Sequence, residues 1–397
     1  MLRDITPQSI FIGLLAAFVG FASSFAVVLQ GLRGVGASEA EATSGLMAAA
    51  LAMGLCGIYV SLRTKMPVSV AWSTPGAALL AVSGAVAGGY SDAIGAFVIC
   101  AVLMIFSGLW RPFGRLVESI PGSLANAMLA GILLTLCLAP IRAIAFDPVL
   151  GLPILLAWIV GARINRFLGV PAALLAFILV VIFGVEFPPD WQQGLAASIV
   201  PTPIFTIPTF SVSAALGIAL PLFVVTMASQ NVPGLAVLKA NGFTPPTGKT
   251  LSATGLFSLL GAPFGNPATN LAAITAAMLA GEEADPDRNK RYVGTVVCGV
   301  FYCLFGLFAG LTTAFVSLAP PILIEAVAGL ALVSAFSAAA FGAFKVEADR
   351  PAAAITFLAS ASGIAILGVS GAFWGLLAGG LMLALTRKPK PQDELDD

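Results

Sequence analysis

The chain has 397 residues, of which 59% are hydrophobic and only 10% charged, with 19 basic residues balanced by 19 acidic ones. A soluble protein could not bury that much apolar side chain, so the expected solvent is lipid, and the balanced charge gives no basic face for nucleic acid. There is no histidine, and Cys56, Cys100, Cys137, Cys298 and Cys303 sit in apolar runs without metal-ligand spacing, so no metal or other cofactor is expected and any proton relay must use carboxylates.

Hydrophobic runs separated by charges and turn signals place spans, in chain order, at 8–32, 43–62, 68–88, 91–110, 122–141, 148–162, 168–186, 211–230, 248–261, 262–281, 292–317, 320–344, 351–367 and 369–386. The first is too long for the apolar region of a signal peptide and reads as a retained span. Runs 148–162 and 248–261 fall short of the ~20 residues a straight helix needs to cross a bilayer, which suits helices that lie inside the protein or stop halfway. With the N-terminus in the cytoplasm, every Lys and Arg except Arg33 and Arg142 falls on a cytoplasmic segment, so both termini are expected inside.

The stretch 187–210 is rich in proline, lacks Lys and Arg, and reads as an external linker between halves 1–186 and 211–386, with 387–397 as a charged cytoplasmic tail. Seven spans per half is an odd number, so the second half must cross in the opposite sense. The expected fold is therefore an all-α polytopic membrane protein of fourteen transmembrane segments, built as a 7+7 inverted repeat. Local echoes support it: Gln30-Gly31-Leu32-Arg33-Gly34 closes the first span and Gln230-Asn231-Val232-Pro233-Gly234 the eighth, while Ile120-Pro121 and Pro320 open the fifth and twelfth.

Two proline-broken segments, Ser69 to Ala81 and Gly261 to Ala273, lie in corresponding places in the halves. With Pro75 set on Pro267, Leu79 falls on Leu271 and Ala81 on Ala273. Val68 to Ser73 is expected to run extended to mid-membrane before Pro75 opens a helix. Likewise, Ala262 to Asn266 is expected extended before Pro267 opens another. Extended backbone at that depth must line a cavity or be buried in protein, and two facing helix N-termini would suit a carboxylate.

Around the breaks stand Ser73, Thr74, Asn266, Thr269 and Asn270 as hydrogen-bonding groups, Trp72 and Phe264 as flat apolar ones, and Pro75 and Gly76 at the bend. Each also has a plainer reading. Ser and Thr can bond their own helix carbonyls, and Trp72 and Phe264 can be packing residues. Gln230 and Asn231 either face the site or cap the eighth span where the chain exits. Glu325 is the acid set well inside an apolar span, where burying its charge costs about 2.5–3.5 kcal/mol. It is a candidate proton site, a structural carboxyl, or a group facing an external vestibule.

At Ala71-Trp72-Ser73-Thr74-Pro75-Gly76, Gly265-Asn266-Pro267-Ala268-Thr269-Asn270 and Ser229-Gln230-Asn231-Val232-Pro233-Gly234 the chain resembles the benzoate:proton symporter (BenE) family of bacterial inner-membrane proteins. Through its plan it also resembles the uracil and xanthine permeases, ascorbate transporters and sulfate permeases. The resemblance implies a core domain of spans 1–4 and 8–11 and a gate domain of spans 5–7 and 12–14. Substrate would bind between broken spans 3 and 10, with the core moving elevator-like against the gate, often in a homodimer. Nucleobase relatives usually carry glutamates in spans 8 and 10, where this chain offers Gln230, Asn231 and Asn270. A neutral polar site tolerates an anion, and leaves the proton either on Glu325 or on the substrate's own carboxyl.

The expected function is secondary active uptake of benzoate or a similar aromatic carboxylate with protons, in the inner membrane, among lipids. Open alternatives are another small anion or a nucleobase on the same fold, or an uncoupled anion channel. An intramembrane enzyme is not expected, because the spans hold no Ser/Lys or paired-Asp constellation.

Overall fold

The computed structural model describes residues 4–110, 112–113, 121–165, 168–187, 191, 198, 200–367 and 369–386. Ile120, the tail 387–397, most of 188–199, and Arg3, Arg111, Arg115 and Arg166 lie outside the described residues. The first half runs α1 (Pro7–Ala22), α2 (Phe25–Gly34), α3 (Glu39–Thr64), β1 (Val70–Trp72), α4 (Thr74–Ser83), α5 (Tyr90–Leu109), α6 (Gly122–Cys137), α7 (Ala139–Phe146), α8 (Pro148–Ile164) and α9 (Gly169–Gly184). The second runs α10 (Val212–Ala240), α11 (Thr247–Gly261), β2 (Thr269–Leu271), α12 (Ile274–Ala280), α13 (Tyr292–Leu307), α14 (Ala309–Val316), α15 (Pro321–Phe344), α16 (Arg350–Ala361), β3 (Ala365–Ile366), β4 (Val369–Ser370) and α17 (Gly371–Thr386). Among the described residues, seven helices are long and apolar enough to cross a bilayer, and α4, α8, α9 and α17 are shorter apolar helices.

Local chemistry sets the helix ends. Ser38 and Glu41 form a reciprocal capping box at the start of α3, as Thr6 and Ser9 do at α1, and Asp147 accepts the Val149 and Leu150 N–H groups at α8. Several runs read as single spans are interrupted. The first bends at Ser23-Ser24, the eleventh at Phe308, and the thirteenth ends at Ala361, after which Ala365 pairs with Ser370 in a short hairpin.

The helix α10 corrects the reading that Gln230-Asn231 closes the eighth span, because it continues to Ala240. Two of its stretches, Ala215–Ala219 and Met227–Asn231, are π-helical, and each stands two residues before a proline, Pro221 and Pro233. A proline cannot donate to the carbonyl four residues back, and its ring crowds that turn. A widened turn relieves the crowding and lets the helix pass through. The carbonyl four residues before Pro221, that of Gly217, accepts the Ser370 hydroxyl at 2.7 Å instead.

Glycines let helices from the two halves touch backbone to backbone. A β-carbon on Gly54 of α3 would lie 2.5 Å from the Gly299 carbonyl oxygen of α13, and one on Gly299 would lie 2.6 Å from that of Gly54. The pair Gly108 of α5 and Gly248 of α11 makes the same reciprocal approach, at 2.4 and 2.5 Å. Elsewhere α6 packs on α15, α8 on α9 and α16 on α17, with Gly329 of α15 against the Leu136 carbonyl. In a lipid environment, where apolar burial gives little net drive, such close approach is a main source of helix association.

Strands β1 and β2, one from each half, pair antiparallel with Val70 opposite Leu271, Ala71 opposite Asn270 and Trp72 opposite Thr269. The ladder extends by Ser73 N–H to the Ala268 carbonyl and Ala272 N–H to that of Ser69, both 3.0 Å. Because the strands are antiparallel, α4 and α12 leave the ladder from opposite ends. Pro267 therefore does not match Pro75. The helix after β2 begins at Ile274, Ala262–Phe264 is a 3-10 turn rather than extended chain, and Pro267 sits in the loop before the strand.

Candidate functional site

The strand crossing gathers most of the candidate residues. Trp72, Ser73, Asn231, Asn266, Thr269 and Asn270 are each at most 2% exposed, while Ala71, Thr74 and Gln230 are half-buried. Ser73 caps α4, its hydroxyl oxygen accepting the Gly76 N–H at 3.1 Å and sharing a 2.8 Å hydrogen bond with the Thr226 hydroxyl of α10. Pro75 lies in the first turn of α4, and a β-carbon on Gly76 would meet Leu222 at 2.5 Å. The helix start is largely self-satisfied: Pro75 has no N–H, Gly76 donates to the Ser73 hydroxyl, and Ala77 donates to the Ser73 carbonyl at 2.7 Å.

Trp72 is held inside the protein. Its indole N–H donates to the Ser24 hydroxyl at 2.8 Å and its ring packs on Phe21, with centroids 5.2 Å apart. Phe264 does not join it, since its ring stands edge-on to Phe205 of the linker at 5.6 Å. The amides around the second strand are bonded in a definite order. Asn231 Oδ1 accepts the Leu271 N–H at 2.9 Å, Asn266 Nδ2 donates to the Thr269 hydroxyl at 3.0 Å, and Asn270 Nδ2 donates to the Leu271 carbonyl at 2.7 Å. Among the described residues, Asn266 Oδ1 and Asn270 Oδ1 are buried without a hydrogen-bond donor. Asn266 and Asn270 are thus not one helical turn apart, because one lies in the loop and the other on β2.

Four side chains not among the sequence-derived candidates complete the crossing. The Ser258 hydroxyl of α11 accepts the Thr269 N–H at 2.7 Å, Thr226 holds Ser73, and Ser69 and Thr275 share a 2.7 Å hydrogen bond across the ladder. Thr226 and Asn231 are five residues apart, a spacing that separates side chains by about 140° around an α-helix. The π turn between them absorbs one residue and brings them to about 40°, so one face of α10 grips both strands. A hydroxyl in an apolar helix gives no sequence signal by itself, but Thr226 and Asn231 around an Asn-x-Pro were a readable pair once that helix is continued.

Glu325 lies apart from the crossing. It is half-buried near the N-terminal end of α15, which packs on α7, the helix that carries Arg142. A cavity of about 320 Å³ lies elsewhere, between the linker at Thr202 and Ile204 and the helices carrying Thr43 and Thr313.

The sequence model of the BenE family, described as benzoate membrane transport protein, matches residues 3–385. The chain belongs to this family. Among BenE relatives, the inner membrane protein YdcO of Escherichia coli K12 is 38% identical over 381 residues, spanning 96% of each chain. The benzoate membrane transport protein of Acinetobacter baylyi is 32% identical over 399 residues, spanning 98% of this chain and 97% of that one. The transmembrane domain of a cyanobacterial bicarbonate transporter, BicA, superposes with a TM-score of 0.61 at 16% identity, covering 96% of this chain and 98% of that one. SLC26A9 superposes at 0.62 with 15% identity, covering 97% of this chain and 66% of that one. At those identities the likeness concerns the fold. This BenE member is a mostly helical membrane transporter, not an enzyme.

Proposed function

We propose that the chain takes up benzoate or a similar aromatic carboxylate across the bacterial inner membrane, one proton entering with each acid, by elevator-like alternation of a core against a gate. The observation that carries this reading is the strand crossing. Polar side chains and unpaired amide oxygens are concentrated where two halves of an apolar chain exchange backbone hydrogen bonds, beside the half-buried Thr74 and Gln230. Such groups are costly in lipid and mark transport paths. The assigned binding residues are Ser73, Thr74, Gln230 and Asn270, with Trp72, Pro75, Gly76, Asn231, Asn266 and Thr269 shaping the crossing. Phe264, packed on the linker, is set outside it.

Fourteen spans as a 7+7 inverted repeat, both termini cytoplasmic, account for the packing. Exchanging span n with span n+7 turns the α3–α13 contact into α11–α5, and both carry a reciprocal glycine pair. The same exchange turns α8–α9 into α16–α17. Those glycine pairs and the β1–β2 ladder all tie spans 1–4 to spans 8–11, which supports treating them as one moving core. Spans 5–7 and 12–14 form the gate in this reading, and a homodimer would pair through it.

A monoanion entering a cell ~100 mV negative inside loses about 2.3 kcal/mol, which one co-transported proton cancels. Proteoliposomes with an inward pH gradient are therefore expected to accumulate radiolabelled benzoate above protein-free vesicles, and a protonophore to abolish it. Uptake at the protein-free level by folded protein would remove the benzoate assignment, and large currents without a proton gradient would favour a channel. In the same assay Phe264→Ala is expected to leave the apparent KM within about twofold, since its ring packs on Phe205 and not on the crossing.

A further inference from the structure

We infer that the crossing binds the substrate as the neutral, protonated acid, so that the coupled proton travels on the substrate's carboxyl group and not on a side chain. This rests on the proposed transport of an aromatic carboxylate. Asn270 is completely buried, and its Oδ1 has no donor among the described residues. The assignment of oxygen and nitrogen in this amide is forced. Nδ2 stands 2.7 Å from the Leu271 carbonyl oxygen, which can only accept, so the other atom must be the acceptor. Asn266 lacks that constraint, because its hydroxyl partner can donate or accept, and nothing here depends on it.

Asn270 lies opposite the half-buried Ala71, so the two side chains share the face of the ladder that also carries Ser73. Asn270 itself offers an acceptor and no donor, because its Nδ2 is spent on the Leu271 carbonyl. A carboxylate there would set oxygen against oxygen, and at the start of α4 Gly76 and Ala77 are spent on Ser73 and Pro75 has no N–H, which leaves the Thr74 and Gln230 side chains to donate to a carbonyl oxygen. A carboxylic acid matches the arrangement, its O–H donating to Asn270 Oδ1. Benzoate takes its proton from the external medium, enters as the acid, and returns the proton to the cytoplasm on release. One proton crosses per acid and no net charge moves.

No carboxyl, amino or guanidinium group lies at the crossing among the described residues; the titratable groups against it are two phenols, Tyr302 beside Thr275 and Tyr90 against Gly265, which do not exchange a proton near neutral pH. The elements packed against β2 are β1, α3, α10 and α11. Their charged residues stand in the first or last turns, at Glu39, Glu41 and Arg63 of α3, Lys239 of α10 and Lys249 of α11. Cys56 and Tyr59 are the titratable groups in the body of α3, and Tyr59 is 50% exposed on its outer side. Glu325 lies on α15, which is not among those elements.

The test is direct binding to the purified full-length protein, with radiolabelled benzoate displaced by benzamide or by benzenesulfonate across pH. Benzamide is neutral and donates through its NH2 group, whereas benzenesulfonate is a permanent anion. Benzamide is expected to compete with an affinity independent of pH and benzenesulfonate not to compete. Benzoate affinity is expected to fall roughly tenfold per pH unit above the range where the free acid ionises. That slope is expected to persist in Glu325→Gln, and Asn270→Leu is expected to weaken benzoate and benzamide alike. The ligand series in the unmodified protein stands even if that variant fails to fold. A pH-independent benzoate affinity with competition by benzenesulfonate overturns the inference and leaves carboxylate transport standing. Loss of the slope in Glu325→Gln overturns it in favour of a side-chain carrier. No binding of any of the three to folded protein overturns both readings.

Discussion

Asn231→Leu is expected to weaken aromatic-acid binding roughly ten- to hundredfold while leaving a folded, monodisperse protein. The Asn231 Oδ1 atom is the partner of the Leu271 N–H, and leucine of similar volume leaves that donor buried and unpaired. The cost is about 1–3 kcal/mol, and because it falls on β2 itself the strand shifts to recover a partner. Asn270 and its free oxygen are the neighbours of Leu271, so the ligand contact moves with the strand. Equilibrium binding measured beside a thermal unfolding midpoint separates the two effects. Unchanged affinity at a lowered midpoint would mean that β2 keeps its place without α10.

Gly54→Leu is expected to abolish recovery of folded protein from the membrane. Any β-carbon there would sit 2.5 Å from the Gly299 carbonyl oxygen, and the obstacle is backbone, which cannot rotate away. Overpacking of a tight contact costs about 1–3 kcal/mol, and here α3 and α13 would have to separate along their whole shared length. Gly380→Leu on α17 is the matched control, because a β-carbon at Gly380 meets nothing within 4 Å among the described residues. Size-exclusion profiles of detergent extracts compare them directly. A monodisperse peak for Gly54→Leu would show that the helices have room that their backbones do not reveal.

The first broken span was legible in the sequence and the second was not, for reasons that lie in particular residues. Ser73 and Pro75 advertise a helix start by a cap and a ring that tolerates a missing N–H. At the second broken span the prolines, Pro263 and Pro267, serve the turn before the strand, and α12 begins after Ala273, whose methyl group cannot cap it. The helix start there is set by the ladder to β1, a contact between halves that no local pattern encodes. Asn231 was legible as polar but not in its role, because Pro233-Gly234 reads as a helix end unless a π turn carries the helix past it. Asn270 was visible as a costly residue in lipid, while the direction of its oxygen needed the Leu271 carbonyl to be placed.

The β1–β2 ladder also constrains the order of biogenesis. Ser69 and Thr275, which share a hydrogen bond beside it, are 206 residues apart, so the ladder cannot close until the second half has been made and inserted. Until then the backbone groups of Val70 to Trp72 have no strand partner, and they are exposed polar groups in a chain already in the bilayer. Joining ends across so long a separation is entropically slow, and it is the kind of step at which membrane chains are caught by quality control. The first half should therefore be a short-lived species when expressed alone. Co-expression of the second half would rescue it only to the extent that the two find each other at this ladder and at the paired glycines.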